Sequence, residues 1–284
     1  MPYNQHVPTP FYHLVLAETV LAHPELPTNV AHILQAEQAA FLLGNIAPDA
    51  CSVAGIARQR THFFRVPMIR RRPAHLRLLA KHPDLARAQQ LPPAQAAFLA
   101  GYLAHVWLDQ AWIAGIFEPV FGLAVHRGTF EQRLLEHNLL RAYLDRQDQE
   151  RLVEGLGSRL AMAEPKGWLP FLDDGILHRW RDRLVAQLMP GGRMLTTEVF
   201  AARHQMPESE FAARLAEPDR MQQDVLSHLP ARRLKAIRRL GRIGTLNMAG
   251  AYLQENIQSA TWMNWAFRRR NPAPRNLGAE HENH

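Results

Sequence analysis

The chain is organised around one stretch, Phe98-Leu99-Ala100-Gly101-Tyr102-Leu103-Ala104-His105-Val106-Trp107-Leu108-Asp109-Gln110-Ala111-Trp112. Prolines at 92–93 precede it and apolar residues recur at steps of three and four, which predicts a helix. Residues four apart share one face of a helix, so Gly101, His105 and Asp109 form a stripe. Because the flanks are apolar, we expect this stripe to be buried, and a buried carboxylate needs a partner.

The composition is that of a globular protein with a substantial core: 284 residues, 47% hydrophobic and 21% charged. A single cysteine, Cys51, excludes an intramolecular disulfide and indicates a reducing compartment. No apolar run is long enough to span a bilayer, and residues 1–10 lack the pattern of an export signal. We therefore expect a cytoplasmic protein. The net charge of +7 favours anionic partners, and 15 histidines offer metal-ligating or acid–base groups.

The hydrophobic pattern predicts an all-α fold, since no segment offers several strands of alternating period. The first helix is predicted over 10–22 with Thr9 as its cap, and a second over 28–43 ends at the turn of residues 44–49. The central helix is expected to end or kink at Glu118-Pro119. Further helices are predicted over 74–81, 128–144, 149–163, 173–189, 208–216, 219–228, 231–240 and 245–267.

We interpret residues 1–148 as a metal-binding helical core and 149–267 as a C-terminal helical extension packed on it in the same globule. Residues 268–284 are polar, contain two prolines and lack a period, which predicts a disordered tail. One internal similarity links QAAFLLG at 38–44 with QAAFLAG at 95–101. Because nothing else repeats at a fixed period, this similarity predicts two alike helix faces and no solenoid.

Five side chains of metal-ligating type stand where packing or a turn fixes their direction: His13, Asp49, His62, His105 and Asp109. Histidine and aspartate are ligands of Zn²⁺ and related cations, and a catalytic site leaves one position to water. Each residue taken singly is more often a hydrogen-bonded core histidine or a capping aspartate. Five of them in fixed settings favour a metal site.

Four segments carry a family resemblance: Tyr12-His13, Leu43-Gly44-Asn45-Ile46-Ala47-Pro48-Asp49, Thr61-His62-Phe63 and Gly101-Tyr102-Leu103-Ala104-His105-Val106-Trp107-Leu108-Asp109. In order and approximate spacing they resemble the motifs of the zinc-dependent phospholipase C family, a relative of the S1/P1 nucleases. The resemblance covers residues 9–145. It implies a multi-helical bundle of the phospholipase C/P1 nuclease type, a trinuclear zinc cluster and hydrolysis of phosphate esters.

The resemblance also implies a ligand set. It assigns Asp49, His62, His105 and Asp109 to one zinc, with Asp109 bridging to a second zinc that His13 also holds. In secreted members of the family the free amino terminus completes this second site. Asp49 is in addition the candidate general base. The cofactor implied is zinc, at one to three ions in this chain.

The third metal site is where this chain departs from the family. His126 and His137 occupy the two histidine positions, but one turn past His137 stands Arg141 where the family has a carboxylate. Arginine carries a permanent charge and cannot bind a metal. We hypothesise that Arg141 binds the substrate phosphate through bidentate hydrogen bonds in place of that metal. The alternative is a surface position in which it pairs with an acidic neighbour, namely Glu18, Glu131 or Asp145.

These observations favour a zinc-dependent, phospholipase C-like phosphoesterase that uses metal-activated water. Two alternatives stay open: a nuclease-like phosphodiesterase, and a catalytically reduced helical metal-binding protein that acts through a partner or a membrane surface. Basic runs at 70–72, 232–239 and 268–270 are typical of solvated surfaces but would also suit an anionic membrane. Nucleic acid is the less favoured partner, since no recognition motif accompanies the runs. The sequence contains neither a Gly-x-Ser-x-Gly elbow nor a Walker loop.

Overall fold

The computed structural model describes residues 7–68, 73–149, 151–152 and 154–257. Throughout this part of the chain the regular structure is helical and no strand occurs, which confirms the predicted all-α class. The α-helices are α1 Pro10–Leu21, α2 Thr28–Ala36, α3 Gln38–Gly44, α4 Cys51–Ala54, α5 Gln59–His62, α6 Ala74–Lys81, α7 Pro93–Trp112, α8 Phe130–Gln149, α9 Leu156–Ala161, α10 Asp174–Leu188, α11 Thr196–Arg203, α12 Glu208–Ala216, α13 Pro218–Asp224 and α14 Ala231–Leu253.

Shorter helical turns connect these elements. Four 3₁₀ turns lie at Ala47–Ala50, Pro83–Leu85, Ala88–Gln90 and Leu226–His228, and a π-helical segment, Ile113–Phe121, continues α7. Within the described ranges no helix combines the length and the apolar character that a membrane crossing requires. The basic runs at 70–72 and 268–270 and the predicted tail over 268–284 lie outside the described residues.

Several predicted boundaries differ from the observed ones. The helix predicted over 28–43 is divided at Glu37, whose φ of −115° and ψ of 38° leave the helical region. The helix predicted over 231–240 is continuous with the first part of the helix predicted over 245–267, since α14 runs through Gly241 and Gly244. Residues 258–267 lie outside the described residues. A methyl group on Gly244 would overlap the indole of Trp107. These glycines therefore allow close packing without breaking the helix.

The core is built around α7, in which every residue from 96 to 112 is buried. A helix that is apolar on all sides needs neighbours on all sides, and α3, α6 and α14 pack along it. Beyond Trp112 the chain does not stop at Pro119 but passes through the π-helical segment as far as Phe121. The central helix thus holds His105 and Asp109 in the interior of the molecule.

Two glycines set the distance between α3 and α7. A methyl group on Gly44 would overlap the carbonyl oxygen of Phe98, and one on Gly101 would overlap the carbonyl oxygen of Phe41. Only glycine permits such an approach of two backbones. The helices that cross here are the two similar segments, 38–44 and 95–101. Their contact brings the chain that follows α3, with Asn45 and Asp49, against the face of α7 that bears His105.

Candidate metal centre

Five of the predicted ligands meet in one buried cluster. His13 comes from α1, Asp49 from the 3₁₀ turn after α3, His62 from the end of α5, and His105 and Asp109 from successive turns of α7. Each is at most 1% exposed. Thr9 caps α1 by accepting the amide of Tyr12, and so it fixes the turn of helix that carries His13.

Asp109 lies at the middle of the cluster, and its two oxygens face different imidazoles. Its Oδ1 is 3.3 Å from Nε2 of His13. Its Oδ2 is 3.4 Å from Nε2 of His62 and 3.5 Å from Nε2 of His105. A carboxylate in this position can offer one oxygen to each of two cations.

Asp49 completes the group on the Oδ2 side. Its Oδ1 is 3.3 Å from Nε2 of His62 and 3.9 Å from Nε2 of His105. Two sets of three side chains therefore bring their ligand atoms within 4.8 Å of one another. They are His13, His105 and Asp109, and Asp49, His62 and His105.

The imidazoles are oriented so that their Nε2 atoms face inward. Nδ1 of His105 donates to the carbonyl oxygen of Asn45 at 2.7 Å, and Nδ1 of His62 lies 3.2 Å from the carbonyl oxygen of Arg58. A carbonyl oxygen only accepts hydrogen bonds, so Nδ1 bears a proton, and in the neutral ring the lone pair is then on Nε2. Within the described residues, Nε2 of His13, His62 and His105 has no hydrogen-bond partner.

This donor set fits zinc. With Zn–N bonds of about 2.0–2.1 Å, tetrahedral geometry separates ligand atoms by about 3.3 Å. The nitrogen–oxygen distances around Asp109 and Asp49 run from 3.3 to 3.9 Å. Buried imidazole nitrogens without hydrogen bonds are costly unless a cation takes their lone pairs.

For His13 and His62 the protonation states agree with such a site. Burial lowers the pKa of His13 and of His62 to about 4 each, helped by the neighbouring charges of His105 and Arg58 respectively. Both rings are therefore neutral at neutral pH, the form that binds metals. Burial would also lower the pKa of His105, but Asp109 and Asp49 outweigh it and raise the pKa. The pKa of Asp109 is held well below its usual range, because His105, His13 and Arg58 outweigh the effect of burial.

Arg58 is a member of the site that sequence reasoning missed. Its guanidinium contacts Oδ2 of Asp109 and lies 4.6 Å from the ring centre of Phe64. The available signal was its position one turn before His62. Phe63, directly after His62, has a φ of 60° and packs edge-on against Phe171 at 5.1 Å. This packing holds Phe63 in the left-handed conformation that ends α5 after His62.

His126 and His137 lie apart from the cluster. His126 is exposed in the loop before α8. His137 is buried among aromatic rings, and its Nε2 accepts a hydrogen bond from Nε1 of Trp112 at 3.0 Å. Neither belongs to a group of described residues that could hold a metal. Their role in a third site stays a prediction.

Arg141 lines a pocket that also reaches Asp49. The cavity measures about 250 Å³ and lies between the start of α1 and helices α4, α8, α10 and α11. Arg141 is 3% exposed, so it does not occupy the alternative surface position. Its Nη1 donates to Oδ1 of Asn138 at 2.9 Å. Burial, together with the charge of Arg203, lowers the pKa of Arg141 to about 9, which leaves it charged at neutral pH.

Comparison with known proteins adds one finding. The family model described as zinc dependent phospholipase C matches residues 12–180, a span that includes all five clustered residues and Arg141. Comparison with curated proteins and with solved structures found no match. Helices α11 to α14 follow the matched span.

Proposed function

Since the chain belongs to the zinc-dependent phospholipase C family, we propose that it is a zinc-dependent hydrolase of phosphate esters. The observation that carries the proposal is the buried cluster, in which three imidazole Nε2 atoms without hydrogen bonds surround both oxygens of one carboxylate. A purely structural cluster would satisfy these nitrogens with hydrogen bonds.

Two zinc positions follow from the way Asp109 divides the cluster. Asp49, His62, His105 and Oδ2 of Asp109 would hold one ion, and Oδ1 of Asp109 with His13 would hold the other. The rings of His13 and His105 stack with their centres 3.8 Å apart, so the two groups of ligands lie side by side. An amino-terminal ligand stays a prediction, since residues 1–6 lie outside the described residues.

Zinc bound there would supply a Lewis acid and a water molecule of lowered pKa. The chain's own residues divide the remaining tasks. Asp49 faces both the cluster and the pocket, which supports a role as the carboxylate that accepts a proton from a nucleophile at their boundary. Arg141 lines the same pocket and would hold the phosphate oxygens of the substrate.

The exposed surface of α14 is basic, which favours an anionic partner. Exposed basic residues recur there at steps of three and four and form one cationic stripe: Arg232, Lys235, Arg239 and Arg242. We propose that an anionic membrane surface is the partner of this stripe. The same stripe would serve a nuclease-like phosphodiesterase, the second candidate function. A cytosolic location remains our proposal, on the ground of the single cysteine.

The first experiment is the metal content of protein purified without added metal. We expect about two zinc ions per chain in the wild type, as the divided cluster implies, and at most one in Asp109→Asn, which loses the bridging charge. Asp182→Asn is the matched control, because Asp182 is exposed on α10, outside the cluster, and pairs with Arg181. Mass spectrometry of the metal gives the stoichiometry.

Hydrolysis of bis-p-nitrophenyl phosphate and of p-nitrophenyl phosphate then separates an enzyme from a binding protein. Zinc-loaded wild type should release nitrophenol from at least one of the two, and Asp109→Asn should not. Metal binding without any hydrolysis would favour the catalytically reduced protein. A wild type that binds no metal would overturn the proposal.

A further inference from the structure

A second arginine, outside the matched span, stands beside Arg141. The guanidinium carbons of Arg141 and Arg203 lie 4.5 and 5.2 Å from the ring centre of the same residue, Phe200. Arg203 and Phe200 belong to α11, an element that the sequence did not predict. Both arginines line the pocket that reaches Asp49. Two cations thus share one small, partly enclosed space.

Some hydrogen-bond donors of these two arginines have no acceptor among the described residues. Nε of Arg141 and Nη1 of Arg203 are buried, and among the described residues neither atom has a hydrogen-bond partner. Two like charges so close in a low-dielectric site repel each other, and buried donors without acceptors add a further cost. An anion between them would remove both penalties.

The nearby carboxylates, Asp145 and Asp49, attract these cations but are held by other groups as well. Asp145 is turned toward two hydroxyls, since Thr9 donates to its Oδ1 and Thr196 to its Oδ2. Asp49 faces His62 in the metal cluster and is one carboxylate in a pocket lined by Arg141, Arg183 and Arg203. The pocket therefore presents more positive than negative charge to whatever enters it.

The arginine on α8 is also held in place. Oδ1 of Asn138 accepts from Arg141 at 2.9 Å, and Nδ2 of Asn138 donates to Nε2 of His204 at 2.8 Å. The amide thus links α8 to the residue that follows α11. Such a contact limits the rotamers of Arg141 and prepares it to bind a ligand.

We infer that Arg141 and Arg203 form a binding site for a dianionic phosphoryl group, so that the preferred substrate is a phosphomonoester. This inference rests on the proposed function for its hydrolytic part. A phosphomonoester carries nearly two negative charges at neutral pH, and guanidinium groups match its oxygens bidentately. A phosphodiester carries one charge and has fewer free oxygens to offer. At about 250 Å³ the pocket is smaller than the roughly 300–1,000 Å³ of sites for drug-sized ligands, which suits a small polar group.

Direct binding to zinc-free protein tests the site independently of catalysis. Isothermal titration calorimetry at pH 8 would compare inorganic phosphate, phenyl phosphate and the diester dimethyl phosphate. We expect dimethyl phosphate to bind at least tenfold more weakly than phenyl phosphate, and Arg203→Gln to weaken phosphate binding at least tenfold. Equal affinity for monoester and diester, or unchanged binding in Arg203→Gln, would overturn the inference.

Two further variants serve as controls for this test. Arg179→Gln removes the same charge from an exposed position on α10 and should bind phosphate like the wild type. Arg203→Lys keeps the charge but not the planar fork, and should recover part of the lost affinity. Thermal unfolding of each variant checks that the fold is intact.

Hydrolysis separates the inference from the function on which it rests. In zinc-loaded protein, Arg203→Gln should lower kcat/KM for p-nitrophenyl phosphate more than for the bis-nitrophenyl diester. Phosphate binding without hydrolysis of either compound would leave the anion site intact and refute the hydrolase. Hydrolysis of the diester alone, unaffected by Arg203→Gln, would support the hydrolase and refute the anion site. Glycerol phosphate and phosphatidic acid in phosphatidylcholine vesicles then distinguish a soluble from a lipid phosphomonoester.

Discussion

Asp145, on α8, is buried between two hydroxyl groups. Thr9 and Thr196 each donate to one of its oxygens, and so the carboxylate ties the start of α1 to the start of α11. Burial raises the pKa of Asp145 to about 7, although both hydroxyls act against the shift. Because this pKa exceeds that of the unfolded chain, the folded protein retains a proton between about pH 4 and pH 7 that the unfolded chain releases. The contribution of Asp145 to stability therefore falls as the pH rises through this window.

We predict that Asp145→Asn removes this dependence. Between pH 5 and pH 8 the free energy of unfolding of the wild type should fall relative to that of the variant by up to about 3 kcal/mol, at about 1.4 kcal/mol per pKa unit. Urea unfolding of both proteins at the two pH values, with a chelator present, measures the difference. Parallel pH profiles would contradict the prediction.

The comparison between variants is needed because other groups titrate in the opposite sense. His13 and His62, with pKa values near 4 in the folded state, make the protein less stable as the pH falls below 6.5. Asp182→Asn, at an exposed position, is the control for the loss of one carboxylate.

At the scale of single residues, the sequence predicts function best for polar side chains in an apolar helix, because few roles are open to them there. A histidine or aspartate in an apolar helix must find a partner, which is why His105 and Asp109 stand out. Arg58 and Arg203 do not, because an arginine in a sequence is typical of the surface. Only tertiary contacts, such as the ring of Phe200 beside Arg203, show that such a side chain turns inward.

At the scale of elements, the glycine contact between α3 and α7 positions the metal cluster. Gly101→Ala should lower the free energy of unfolding by about 3 kcal/mol or more, because the new methyl group meets the backbone of Phe41 and the side chain of Asn45. Displacement of Asn45 would also disturb its hydrogen bond with His105. Urea unfolding at pH 7 gives the stability, and zinc content reports the site.

Gly250 offers a matched control. It is a buried glycine within α14, and a methyl group built on it meets nothing within 4 Å. Gly250→Ala should therefore stabilise the protein by about 0.5–1 kcal/mol, since alanine favours the helix and restricts the unfolded chain. Equal effects of the two substitutions would show that the contact with Phe41 is not what matters.

Prolines and caps made several element boundaries predictable. Helices begin as expected at Pro10, after Thr9, and at Pro93, and α12 has the predicted bounds Glu208–Ala216. Helix α11 was missed because no proline or capping side chain marks its start after Leu195, whereas α6, of the same length, follows Pro73. The continuity of α14 was missed because Gly241 and Gly244 weaken a helical pattern, while their packing against Leu108 and Trp107 restores the helix.

At the scale of the whole molecule, the cluster joins segments that are distant in sequence. Its side chains come from α1, the turn after α3, α5 and α7. A metal held by all of them stabilises the folded chain over the unfolded one. Free zinc at 1,000 times its Kd should add about 4 kcal/mol for each site.

Thermal unfolding with and without a chelator tests this stabilisation. The Tm of the wild type should fall when zinc is removed and recover when it is restored. The Tm of Asp109→Asn should respond much less. An unchanged wild-type Tm would mean that the cluster holds no zinc under these conditions.

The all-α class could be predicted from the period of apolar residues, since that period is a local property of the chain. Which helix packs against which could not, because it depends on surfaces that no single segment displays. The division of the chain into a core over 1–148 and an extension over 149–267 stays a prediction. The packing of α14 along α7 shows how closely residues from both ranges are joined.

The contact between α3 and α7 also follows a rule known from symmetric dimers. In each of the two similar segments the seventh residue, Gly44 or Gly101, meets the fourth residue of the other, Phe98 or Phe41. This reciprocity is the mark of an isologous interface, here formed within a single chain. One short motif therefore acts as its own complement, and the same contact requires the glycine in both copies.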